Sequence, residues 1–142
     1  MSGDSHPPPF FIDTNIWLYA FIPSQDPTKS ARARDIIRQS DIIISSQVIN
    51  EICVNLIKKA QSGEPAIRRL INSFYKRYTA IIIDKATMLK SSELRENLQL
   101  SYWDSLIVSS ALLGGAQTLY TEDMADGLLV ENRLRITNPF KP

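Results

Sequence analysis

The chain has 142 residues, 44% of them hydrophobic, enough for one sizeable core and short for two. Its single cysteine, Cys53, excludes an intrachain disulfide and a Cys-paired zinc site. Its single histidine, His6, lies in a Ser/Pro-rich start, which closes any mechanism needing a histidine of the folded domain: a Ser-His-Asp triad, imidazole acid–base catalysis or His-ligated zinc.

No apolar run approaches the roughly 18 to 20 residues of a membrane span, and the start MSGDSHPPP lacks a signal-peptide pattern. A cytoplasmic protein that does not enter membranes is therefore expected. Residues 1–9 read as a flexible leader and 10–142 as one domain.

Phe10 to Ile12 is a short apolar run that ends abruptly in Asp13, with Thr14 and Asn15 behind it. It reads as a buried strand feeding a turn. Just past the carboxyl end of a central strand in an open α/β sheet is where ligands bind, so Asp13 is a candidate site residue. The plainer alternative is that Asp13 or Thr14 caps the helix that follows. Ile16 to Phe21 forms that helix, and Thr28 to Gln39 a second. Ile42 to Ile44 is another buried strand.

The helix from about Gln47 to Ala60 puts Val48, Ile49, Ile52, Leu56 and Ile57 on one face, with Glu51 and Asn55 off that stripe, one turn apart. Pro65 opens the next helix, whose core stripe is Ile67, Leu70, Ile71, Phe74, Tyr75 and Tyr78. Arg68, Arg69, Lys76 and Arg77 occupy its other side. Ala80 to Ile83 is a third strand, followed by Asp84 and a helix to about Arg95. The segment SYWDSLIVSSALLGGA is a helix ended by Gly114 and Gly115. Asp104 sits in its first turn, either directed inward or as the partner of Ser101 in a capping box. Thr118 to Tyr120 is a fourth strand running into Thr121, Glu122 and Asp123. Asp126-Gly127 reads as a turn, and Leu134 to Ile136 as an edge strand.

Net charge is only +1, yet residues 29–77 carry ten Lys and Arg against four acids, and residues 104–131 five acids and no base. That asymmetry suits a polyanion-binding surface beside a collection of carboxylates. Alternating strands and helices give a mostly parallel sheet covered on both faces. On that model Asp13 and Asp123 follow strands at the carboxyl edge, and Glu51 and Asp104 begin helices entered from it. Four carboxylates about 5 Å apart would repel by roughly 3 kcal/mol per pair at an effective dielectric of 20. Divalent cations resolve this, and an all-oxygen ligand set selects Mg²⁺ or Mn²⁺. Two such ions can activate water and stabilise the leaving oxygen of a phosphodiester.

The series Asp13-Thr-Asn, Ser46-Gln-Val-Ile-Asn-Glu51, Tyr102-Trp-Asp104-Ser-Leu-Ile-Val and Leu119-Tyr-Thr-Glu-Asp123-Met resembles the PIN domain. The compact form is similar to VapC-type toxins of toxin–antitoxin systems. The resemblance spans about residues 10–140. It implies a three-layer α/β/α fold with a five-stranded parallel sheet, and an Mg²⁺- or Mn²⁺-dependent endoribonuclease. Asp13, Glu51, Asp104 and Asp123 match the family's acidic positions, and Asn15 and Thr121 the polar positions beside the metal. Asp126 matches as an auxiliary acid, while Glu122 points away because strand residues alternate faces. The implied partners are RNA, an antitoxin protein and a second copy in a homodimer. Arg68, Arg69, Lys76 and Arg77, with Lys58 and Lys59 adjoining, would supply phosphate contacts, or else form a plain solvated face, and Trp17 and Tyr19 are the aromatics to watch as interface anchors, with core packing the alternative, above all for Trp17.

Three rivals stand beside this reading. An aspartyl-phosphate phosphatase would want a second Asp two residues after the first, where Asn15 stands. A receiver domain would use Asp84 as phosphoacceptor and want paired acids at the first strand. The third is a PIN module that binds RNA or protein without cutting, or a housekeeping RNA-processing nuclease.

Overall fold

The computed structural model describes residues 8–22, 26–39 and 41–142. The expected leader therefore lies, apart from Pro8 and Pro9, outside the described residues. Twelve elements follow in order: β1 (Phe10–Ile12), α1 (Thr14–Phe21), α2 (Pro27–Ile37), β2 (Ile42–Ser45), α3 (Ser46–Ala60), α4 (Glu64–Arg77), β3 (Thr79–Ile81), α5 (Lys85–Asn97), α6 (Tyr102–Leu113), β4 (Thr118–Tyr120), β5 (Leu129–Val130) and β6 (Leu134–Thr137).

The six strands form one sheet in the order β3-β2-β1-β4-β6-β5, all parallel except the β5–β6 pair. The chain builds outward from β1 through β2 to β3, then crosses back to lay β4 on the other side of β1. That reversal places a topological switch point between β1 and β4, where the connections leave a crevice at the carboxyl ends of the strands. β1 is buried along its whole length, which explains why it reads as an unbroken apolar run.

Helices lie on both sides of the sheet, with α1 packed on α2 and α3, and α5 on α6. In α6 every residue from Ser105 to Leu112 is buried. A helix enclosed on all sides needs small residues where neighbours come close, and Ser105, Ser109, Ser110 and Ala111 supply them. Its end meets the sheet: a Cβ added at Gly114 would stand 2.9 Å from Ile43 Cγ2 and 3.2 Å from Ile81 Cγ1.

Several expectations are corrected. The sheet has six strands rather than five, and β6 is internal, because β5 covers it as an antiparallel edge. Tyr75 is exposed rather than part of the α4 core stripe, and Cys53 takes the core place expected for Ile57 on α3. Trp17 is fully buried against Phe21, Phe74 and Tyr78, with its indole N–H donating to Ile12 O at 3.2 Å, so it is no interface anchor. Tyr19 is also engaged internally: its hydroxyl donates to Glu122, and its ring packs edge-on to Phe140.

Candidate active site

Asp13 leaves β1 at the switch point and serves two purposes. Its Oδ1 accepts from Thr14 N at 2.7 Å, which caps α1, and its Oδ2 accepts from the Thr121 hydroxyl at 2.8 Å. Asp13 is thus the cap of α1, and its other oxygen is left to Thr121. Thr121 follows β4, the strand next to β1, and its Oγ1 also accepts from Asp123 N at 3.2 Å, shaping the turn that presents Asp123. Asn15, one residue into α1, donates from Nδ2 to Asp123 Oδ2 at 2.6 Å.

Glu51 reaches the same place from the second turn of α3. The Thr14 hydroxyl donates to its Oε1 at 2.9 Å, and Asn55 Nδ2 donates to Glu51 O at 2.8 Å. Asp104 arrives from the first turn of α6. Its backbone N–H donates to Ser101 Oγ at 3.0 Å, so Ser101 is the N-cap that starts α6 and the cap acceptor is its hydroxyl rather than the Asp104 carboxylate. Asp13, Thr14, Asn15, Gln47, Glu51, Asn55, Trp103, Asp104, Ile107 and Asp123 together line a cleft of about 160 Å³, and none of them is basic.

Electrostatics register this crowding. Asp13 is 8% exposed, and its pKa is pushed up to about 6, first by burial and then by the charges of Glu51 and Asp123, against the hydrogen bonds from Thr121 and Thr14. Burial also raises Glu51, with the Asp104 charge adding to it, and raises Asp104, with Asp123 adding. Asp13, Glu51 and Asp104 are therefore disfavoured as anions, first by burial and then by a neighbouring charge. No group of three acids among the described residues is arranged to hold a metal ion as it stands. By donor type the set does suit a hard divalent cation: it offers carboxylate and amide oxygens, no sulfur or imidazole, and uncompensated negative charge.

Other predicted residues fall elsewhere. Asp126 accepts from Asn138 N at 2.7 Å and is outside the cleft lining; it pins the segment after β6. Glu122 turns away as expected and pairs with Lys29 at 2.8 Å. Asp84 is the cap of α5, accepting from Thr87 N at 3.0 Å and the Thr87 hydroxyl at 2.9 Å in a reciprocal box, which leaves the receiver-domain reading without its phosphoacceptor. Lys76 and Arg77 close α4 directly before β3, at the amino-terminal edge of the sheet, opposite the acids. They cannot flank the cleft. Arg68 and Arg69 lie earlier on α4 and also do not line it.

Gln47 and Trp103 line the cleft without having been singled out. Each adjoins an acid motif, Gln47 four residues before Glu51 and Trp103 directly before Asp104. That adjacency was the available signal.

An open, mostly parallel α/β sheet with four carboxylates gathered at its switch point defines a class of acid-site domain. The family model of the PIN domain matches residues 10–125, and the chain belongs to that family. Among curated proteins no sequence relative matches. Similar solved structures include a toxin-antitoxin complex from Klebsiella pneumoniae, with TM-score 0.69 and 20% identity over 93% of this chain and 98% of that one. VapBC2 from Rickettsia felis bound to a promoter DNA fragment has TM-score 0.60 and 23% identity, covering 91% of this chain and 98% of that one. Mycobacterium tuberculosis VapC20, a Sarcin-Ricin loop cleaving toxin, has TM-score 0.62 and 15% identity, covering 80% and 89%. At these identities the likeness is one of fold.

Proposed function

We propose that this chain is a divalent-metal-dependent endoribonuclease and the toxin of a toxin–antitoxin pair. The observation that carries the reading is the meeting of Asp13, Glu51, Asp104 and Asp123, from four separate elements, in one cleft whose lining holds no base. Mutual repulsion on this scale is a standing cost to the fold unless the cluster serves a cation.

Asp13, Glu51, Asp104 and Asp123 are the residues that would hold Mg²⁺ or Mn²⁺. When bound, the metal supplies Lewis-acid polarisation of a phosphoryl oxygen and a more acidic water. The chain itself provides orientation. Thr14 and Thr121 fix both oxygens of Asp13, Thr14 also aims Glu51, and Asn15 aims Asp123. Such partners set the direction and basicity of ligands. Among the described residues no histidine lines the cleft, so its lining offers no imidazole to route cleavage through a cyclic phosphate. The products expected are a 5′-phosphate and a 3′-hydroxyl.

The solved structures similar to this chain include toxin–antitoxin assemblies, which supports an antitoxin as this chain's partner. A basic side chain from such a partner could pair with the cleft carboxylates and compensate their burial. A homodimer within that complex belongs to the same reading, and Arg68 and Arg69 remain the candidate phosphate contacts on the RNA side.

Incubation with structured and single-stranded RNAs in Mg²⁺, Mn²⁺ or EDTA, with mapping of the cut ends, tests the activity. Cleavage in metal and none in EDTA is expected. Cutting that persists in EDTA, or that leaves a 2′,3′-cyclic end, would show that the acids do not perform the chemistry.

A further inference from the structure

Beside the acid cleft runs a second groove of about 490 Å³, lined by Gln47, Asn50, Ile83, Trp103 and Leu106 among others. It shares Gln47, Glu51 and Trp103 with the cleft, so the two adjoin. Trp103 is 64% exposed, the reverse of the buried Trp17. It is not a loose side chain. Its ring meets Tyr102 edge-on at 5.2 Å, and Tyr102 in turn lies under the Arg95 guanidinium, 4.5 Å from the ring centroid. Arg95 is itself held by Ser91 and Ser105 at 3.1 and 2.8 Å.

The opposite wall carries amide groups. Gln47 Nε2 donates to Trp103 O at 3.4 Å, tying the starts of α3 and α6 together across the groove. Gln47 Oε1 is buried and has no hydrogen-bond partner among the described residues. A buried acceptor left unmet is costly, and it marks a place where a ligand donor would be favoured. Asn50, exposed on the next positions of α3, adds a second amide.

We infer that Trp103 is a stacking platform for an unpaired nucleobase of the RNA, next to the phosphate that enters the acid cleft, with the Gln47 amide meeting the base edge. The inference rests on the nuclease reading above and adds to it the residue that would hold the base beside the cut. An exposed, braced indole offers a π-face that any unstacked base can use, whereas bases inside an A-form helix are stacked on each other and cannot reach it. A mostly apolar groove adjoining an acid cleft also suits a base better than a phosphate, since the acids repel a free anion.

The chain has two tryptophans, so fluorescence isolates the platform. In an Asp13→Asn background with Mg²⁺, a hairpin RNA with an unpaired loop should quench Trp103 emission, and the same strand annealed to its complement should not. Trp103→Phe, which leaves only the buried Trp17 emitting, should lose the quench yet bind within a few-fold. Trp103→Ala should bind the loop RNA about tenfold more weakly, within the range of stacking losses. In the otherwise unaltered protein the same change should raise KM more than it lowers kcat. An abasic nucleotide beside the cut should cost the parent a similar factor and cost Trp103→Ala little further.

If Trp103→Ala binds and cuts loop RNA as well as the parent, the platform is wrong and the nuclease reading stands. If it cuts normally but no longer holds a co-expressed protein partner, the inference is overturned and the face belongs to that partner. If no RNA is bound or cut by any form, the nuclease reading fails and the platform goes with it.

Discussion

Asp13 concentrates the conflict between stability and function. Its folded pKa of about 6 exceeds the ordinary aspartate value of 3.8, so the folded chain binds that proton more tightly than the unfolded chain does. Stability attributable to this group is therefore greatest below about pH 4 and is lost as pH rises to about 6, a difference of roughly 3 kcal/mol. Melting in EDTA from pH 4 to 7 should show the parent falling relative to Asp13→Asn across that window, with the variant the more stable at pH 7. Parallel curves would remove the cost assigned to ionised Asp13. Proton release also makes metal affinity weaken below about pH 6. Asp104→Asn should abolish cleavage with little change in melting, because Ser101 caps the Asp104 N–H through the backbone and that bond survives. Unfolding with full activity per folded molecule would instead give Asp104 a structural role. Thr121→Val removes a buried donor to Asp13 and should cost about 1 to 3 kcal/mol and about 10- to 100-fold in metal affinity, read by melting and by calorimetric titration with Mn²⁺.

At the scale of elements, the site depends on how closely α6 approaches the sheet, because Asp104 rides on its first turn. Gly114 is where that approach is tightest, and Ile43 and Ile81 are backed by a packed core. Gly114→Ala should therefore cost about 1 to 3 kcal/mol through overpacking, despite alanine's better helix propensity. A stability gain in denaturant unfolding would show that the end of α6 can shift freely. The β5–β6 hairpin illustrates what pattern reading misses. Its turn places Glu131 and Asn132 at φ 52° and 56°, a conformation usually signalled by Gly, and β5 has only two residues. Neither a glycine nor an alternating run advertised it.

Across the whole molecule, parallel topology sorts charges by sheet edge. Acids that follow strands or open helices collect at the carboxyl edge, while Lys76 and Arg77, just before β3, lie at the other. Replacing Lys76 and Arg77 by alanine should leave RNA affinity and its salt slope unchanged. Replacing Arg68 and Arg69 should weaken binding and flatten the slope by up to about 2, one unit per lost phosphate contact. A salt series on the two double variants decides this, and binding unchanged in both would make the basic side of α4 a solvated face. Co-expression with a neighbouring reading frame should yield a copurifying complex with suppressed cleavage. A chain well tolerated alone, with no such partner, would leave the nuclease and remove the toxin.

The sequence by itself determined the alternation of strands and helices, the four acids and their order, because strand ends, helix starts and apolar runs are local features. It also separated Glu122 from Asp123 by strand alternation, although β4 ends at Tyr120 and the two are parted by the turn that Thr121 shapes. Only the tertiary structure decided which polar residues complete the cleft and which do not. Asp126 is drawn to Asn138 by the return of β6, Asp84 is absorbed by its own helix, and Trp17 is enclosed by an α4 more than fifty residues distant. Trp103, also one of the first residues of its helix's apolar run, is left in the open because that helix begins at the rim of the sheet. Exposure depends on which elements close over a residue, and that is a property of long-range packing that a window of neighbouring residues does not contain.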